Sequence, residues 1–207
     1  VVKIKICGIT NLEDALACCE AGADALGFVF AEEAKARNRY VSPEKALEII
    51  EQLPPFITTV GVTVNEPMER LAQYLSYVDL VQLHGEEPPY HLPMGHLAIK
   101  AFRAGPDFRL SSMEDHPTRA WLLDAYVPDQ RGGTGQVCDW DTAAAAARLG
   151  RPLILAGGLT PDNVTEAVFR VRPYGVDVSG GVESEPGKKD HERVREFILN
   201  ARETPLA

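Results

Sequence analysis

The chain has 207 residues, of which 45% are hydrophobic and 25% charged, ordinary values for a soluble globular protein with one large domain or two small ones. A formal net charge of −9 argues against the broad basic face that nucleic-acid binding needs, so any phosphate or carboxylate ligand must be held by local amides and a few placed cations. No apolar run is long enough to span a bilayer and no signal peptide opens the sequence. The four cysteines (Cys7, Cys18, Cys19 and Cys138) form neither a Cys-x-x-Cys pair nor a zinc-spaced cluster, so the expectation is a reduced, cytoplasmic protein without a metal site or membrane partner.

Short apolar strands alternate with amphipathic helices from end to end. The first strand, near 3–7, runs straight into Cys7-Gly8, and Thr10 with Glu13 has the spacing of a capping box for a helix near 11–21. Further strands are predicted near 25–30, 58–64, 80–83, 97–101, 120–124, 152–156 and 175–179. Helices are predicted near 43–52, 67–77, 139–149, 161–170 and 190–201. Ser42-Pro43, Glu66-Pro67 and Thr160-Pro161 each put a proline in a first helical turn, with Ser42 and Thr160 as caps. Two connections are weak: 86–96 carries Pro88, Pro89 and Pro93, and 104–118 has little helical period. Eight βα units without a composition break predict a parallel sheet, and eight units in so few residues favour closure. The expected fold is a (β/α)8 TIM barrel, one domain over 1–207.

In such folds ligands gather at the C-terminal ends of the strands. Strands 7 and 8 end alike, in Gly157-Gly158 and Gly180-Gly181, the second pair after Ser179. Paired glycines let backbone N–H groups converge on an anion, and these two loops are where barrel enzymes often bind phosphate, with a short extra helix that residues 181–185 can supply. Tight turns needing glycine only for geometry are the plainer reading.

Cys7 ends the first strand and Asp124 the sixth, so a thiol and a carboxylate face one cavity as a candidate acid/base pair. The plainer readings are a small buried hydrophobe and a loop hydrogen bond. Alternation places Lys3, Lys5 and Cys7 on one side of the first strand, and Lys5 and Asp177 are expected to pair inside the barrel. His84 ends the fourth strand beside Gln82. Arg39, with Arg37 as its competitor, lies on the same mouth, where an arginine can grip a carboxylate bidentately.

Taken in order, these segments resemble the phosphoribosylanthranilate isomerases of tryptophan biosynthesis. The resemblance is carried by Lys5-Ile6-Cys7-Gly8-Ile9-Thr10, Gly22 to Phe30, Arg39-Tyr40-Val41-Ser42-Pro43, Gln82-Leu83-His84-Gly85 and Leu123-Asp124. It continues through Gly132-Gly133-Thr134-Gly135, Ala156-Gly157-Gly158-Leu159, Gly175 to Ser179 and Pro186-Gly187-Lys188-Lys189-Asp190. The resemblance implies a cofactor-free Amadori rearrangement of an aminoaldose to an aminoketose, on a phosphorylated small molecule, by a monomer or homodimer. It implies Asp124 as general acid and Cys7 as general base, with Arg39 on the anthranilate carboxylate. Gly157, Gly158, Gly180 and Gly181 would hold the phosphate, and His84 and Ser179 join the substrate-binding set. The acid must keep a proton despite a reference pKa of about 3.9, and the thiol must lose one despite about 8.5. Burial would raise the first, and nearby cations would lower the second.

Two positions depart from the family pattern: Gly180 stands where a second serine is usual, and the stretch between Phe30 and Arg39 is longer. The alternatives are a dual-substrate isomerase of the histidine and tryptophan pathways, which would place an aspartate where Cys7 stands, and a non-catalytic sugar-phosphate-binding barrel.

Overall fold

Lys3–Cys7 (β1) pairs in parallel with Ala25–Val29 (β2) on one side and with Gly175–Val178 (β8) on the other, so that Lys5 stands level with Ala25 and with Asp177. The other strands are Thr58–Thr63 (β3), Leu80–Leu83 (β4), Ala98–Ala104 (β5), Ala120–Ala125 (β6) and Leu153–Leu155 (β7), and all eight close into a barrel in chain order. This computed structural model describes residues 1–89, 95–125 and 138–203; Pro93 and the Gly132-Gly133-Thr134-Gly135 segment lie outside them. The helices between strands are Leu12–Ala21 (α1), Pro43–Ile50 (α2), Met68–Tyr74 (α3), the single turn Ser111–Glu114 (α4), Trp140–Ala147 (α5), Val164–Val171 (α6) and His191–Arg202 (α7). Among the described residues no helix is long and apolar enough to cross a membrane.

Period-two alternation divides the barrel into two apolar layers. Outward-facing Ile4, Ile6, Leu26, Phe28, Leu83, Leu123, Leu155 and Val176 pack under the helices. Inward-facing Val60, Ile99, Ala101, Ala120, Leu122 and Ile154 fill the interior as a separate cluster. Above that floor the inward positions turn polar. Lys5, Cys7, Gln82, Asp124 and Asp177 are all buried toward the C-terminal ends of the strands.

Two local expectations change. Asn11, not Thr10, caps α1: its side chain accepts from Asp14 N–H, while Thr10 Oγ1 donates to the distant Gly187 carbonyl. Ser42 caps α2 as expected, by accepting from Lys45 N–H, but Thr160-Pro161 does not start α6. Asn163 accepts from Thr160 N–H and donates to the Gly158 carbonyl, so 158–163 forms its own turn and the helix follows it. The long stretch after Phe30 folds as a 3-10 helix, Glu32–Arg37, ended by Asn38 in the left-handed region at φ 52°. The chain then returns to the sheet through a Val29–Tyr40 bridge, which plants Arg39 at the mouth.

Candidate active site

A cavity of about 1060 Å³ opens at the C-terminal ends of the strands, large enough for a phosphorylated aryl sugar. Cys7, Arg39, His84, Asp124, Ser179 and the two glycine pairs all line it.

At its base Lys5 Nζ bonds Asp177 Oδ1 at 2.9 Å, with both side chains nearly sealed from solvent. The same ammonium lies beside Cys7. A Cβ at Gly27 would stand 2.8 Å from Cys7 Sγ and 3.0 Å from Lys5 Nζ, so the strand needs glycine there. Burial pushes the Cys7 thiol above its usual range; Lys5 and Lys189 pull it back and Asp177 adds to the rise. The cations expected beside the thiol are present, but burial outweighs them. Burial also works against the Lys5 charge, yet Asp177 and Cys7 hold that ammonium above its ordinary value.

Across the cavity Asp124 accepts from Ala125 N–H at 2.8 Å through Oδ1, and Oδ2 lies 3.4 Å from His84 Nε2. Gln82 Nε2 lies 3.0 Å from His84 Nδ1. With that amide as donor the imidazole proton sits on Nε2, facing the carboxylate. His84 therefore contacts the candidate acid and lines the cavity at once. Cys138, also buried, has its thiol pushed up to about 12 by burial, with Asp124 the next cause. It is inert as a base at neutral pH.

The glycine turns are sterically required. Gly157 has φ 86°, and a Cβ on it would overlap the Ala125 amide; one on Gly181 would overlap the Leu159 carbonyl. The short helix foreseen over 181–185 is a 3-10 turn, Gly180–Val182, followed by the hairpin Glu183–Glu185 (β9) and Lys188–Lys189 (β10). Arg193 clamps the Gly181 carbonyl through Nε and Nη2.

Arg39 has a partner the sequence reading did not name. Its Nε lies 3.0 and 3.2 Å from the two Glu183 oxygens and Nη2 2.7 Å from Oε2. Glu183 Oε1 also accepts from Lys189 Nζ at 2.8 Å and from Ser179 Oγ at 3.4 Å. Burial alone would raise the Glu183 carboxyl, but Arg39 and Lys189 hold it below the usual carboxylate range. Lys189 belongs to the Pro186-Gly187-Lys188-Lys189-Asp190 segment, in which the sequence alone assigns it no role. The available signal was a second cluster of charge in the loop after the eighth strand, at the cavity mouth. Arg37 lines the cavity as well.

A thiol and a carboxylate facing one cavity, with glycine turns after strands 7 and 8, define a (β/α)8-barrel enzyme. Comparison with known proteins narrows the class. Residues 4–200 match the family model for N-(5'phosphoribosyl)anthranilate (PRA) isomerase. N-(5'-phosphoribosyl)anthranilate isomerase of Geobacter sulfurreducens is 56% identical over 204 residues, 97% of this chain and 98% of that protein. The crystal structure of phosphoribosyl anthranilate isomerase from Thermotoga maritima superposes with a TM-score of 0.85 at 44% identity, covering 98% of this chain and 99% of that one. A phosphoribosyl anthranilate isomerase solved with reduced 1-(o-carboxyphenylamino)-1-deoxyribulose 5-phosphate gives 0.82 at 43% identity, covering 98% and 99%. The chain belongs to the N-(5'-phosphoribosyl)anthranilate isomerase family and is an isomerase of tryptophan biosynthesis.

Proposed function

We propose that this chain, acting as one barrel domain over 1–207, rearranges N-(5'-phosphoribosyl)anthranilate with Asp124 as general acid and Cys7 as general base. The observation that carries the reading is that both groups line the same cavity as the glycine pairs after β7 and β8. Asp124 gives its proton to the ribose ring oxygen, the C1'–O4' bond breaks, and the nitrogen lone pair forms an iminium. The Cys7 thiolate removes the proton from C2', and those electrons neutralise the iminium to an enolamine, which tautomerises to the ketone. Asp124 is then an anion, with His84 Nε2 3.4 Å from its Oδ2. The raised thiol fits this order, because the iminium brings a positive charge into the cavity only after the ring opens, when a thiolate is needed.

Gly157, Gly158, Ser179, Gly180 and Gly181 take the phosphate, and Arg39 takes the anthranilate carboxylate. The compartment is the cytoplasm, and the working unit is a monomer or a homodimer. The Thermotoga maritima relative is described as dimeric, and light scattering on this chain decides between the two states.

The deciding assay follows loss of substrate fluorescence, with phosphoribosylanthranilate made in situ. A positioned acid or base contributes about 10²–10⁴ in rate. Cys7→Ala and Asp124→Asn should each lose that much while remaining folded. Retention of wild-type turnover by either variant would remove that residue from its role.

A further inference from the structure

Glu183 is buried at the cavity mouth among three donors, and its geometry toward Arg39 is that of a paired fork. The guanidinium has five N–H bonds. Glu183 occupies the Nε–H and one Nη2–H, and among the described residues no acceptor meets Nη1. One planar edge is therefore fixed to the protein, and the Nη1 edge is available to a ligand.

The charges are arranged to suit an anion. Lys189 is completely buried and bonds Glu183 at 2.8 Å and the Ser179 carbonyl at 3.4 Å, so it does not reach the cavity as a free cation. Its charge offsets that of Glu183 and leaves the Arg39 charge unbalanced. The surroundings hold the guanidinium in place. A Cβ on Gly8 would lie 3.3 Å from Arg39 Cδ, and one on Gly180 would lie 3.0 Å from Nη2, so the stem crosses one glycine and the head rests over the other. The hairpin carrying Glu183 and Lys189 is pinned by the Thr10 bond to the Gly187 carbonyl and by Lys189 N–H on Asp14.

We propose that Glu183 is the positioning residue for Arg39, holding its inner edge so that the outer edge selects substrates with a carboxylate on the aryl ring. Lys189 supplies the counter-charge, and Gly180, in place of the family's usual serine, leaves room for the guanidinium to lie back against Glu183. The inference rests on the assignment of Arg39 to the anthranilate carboxylate.

The test compares kcat/KM for N-(5-phosphoribosyl)anthranilate with that for N-(5-phosphoribosyl)aniline, which lacks the carboxylate, in wild type, Arg39→Ala and Glu183→Gln. The ratio of the two constants reads carboxylate selection and is blind to a general loss of active protein. Arg39→Ala should bring the ratio close to unity. Glu183→Gln should lower it roughly 10-fold or more, mainly through KM of the anthranilate substrate, as a misplaced binding fork does. Loss of the ratio in Arg39→Ala with its retention in Glu183→Gln overturns the role of Glu183 alone. Retention in Arg39→Ala overturns the carboxylate assignment and this inference with it. If Glu183→Gln does not fold, Glu183→Asp keeps the charge but withdraws it by one carbon. A lowered ratio there supports positioning and an unchanged one refutes it.

Discussion

Lys5 Nζ stands 2.9 Å from Asp177 Oδ1 beneath the cavity, joining the first strand to the last where the barrel closes. Both side chains are nearly buried, so removing one partner strands the other. Lys5→Met should cost about 3–5 kcal/mol in denaturant unfolding. Lys5→Met with Asp177→Leu should recover most of that loss. A double variant as unstable as the single one would show that the pair does more than balance charge.

Burial raises the Cys7 thiol, and a base must be deprotonated to act. The rising limb of kcat/KM, which reports the free enzyme, should therefore continue upward beyond pH 8 instead of levelling near neutrality. Alkylation of Cys7 by iodoacetamide should follow the same curve and be slower at pH 8 than for an unburied thiol. A plateau below pH 7 in either measurement would contradict the burial argument.

Glu87, Asp14 and Glu183 are each held below the usual carboxylate range, despite burial, by cations and N–H donors. Groups depressed in the folded state contribute stability that is complete above their unfolded pKa of about 4 and is lost as pH falls through their folded values. The urea midpoint should be flat from pH 8 to 5 and fall below pH 4. Glu87 bonds Lys100 at 2.9 Å and accepts from Asn65 and Gly85 N–H, so Glu87→Gln should be destabilised at pH 7 yet approach wild type near pH 2. A constant gap between the two proteins at every pH would exclude this linkage.

Two glycine replacements separate catalytic from structural need. Gly27→Ala drives a methyl against Cys7 Sγ and Lys5 Nζ and should lower turnover by roughly 10²-fold. Gly150 has φ 85° with nothing within 4 Å of a Cβ, so Gly150→Ala should cost about 1 kcal/mol of stability and leave the kinetics alone. Equal kinetic loss in both would mean that the Gly27 clash is relieved by backbone movement.

Most of what the sequence determined by itself was local in origin. Period-two alternation marked the strands and put Lys5 and Cys7 on the inner face, turn chemistry placed the glycine pairs, and strand ends set Cys7 and Asp124 at one mouth. The Lys5–Asp177 pair was legible because a closing barrel brings its first and last strands into register. Tertiary structure alone decided which partner each loop charge found. Arg39 meets Glu183 across 144 positions, and Thr10 leaves its expected helix cap for Gly187. It also decided the direction in which the Cys7 thiol moves, because burial depends on how every neighbouring segment packs, and periodicity along one segment does not contain that information.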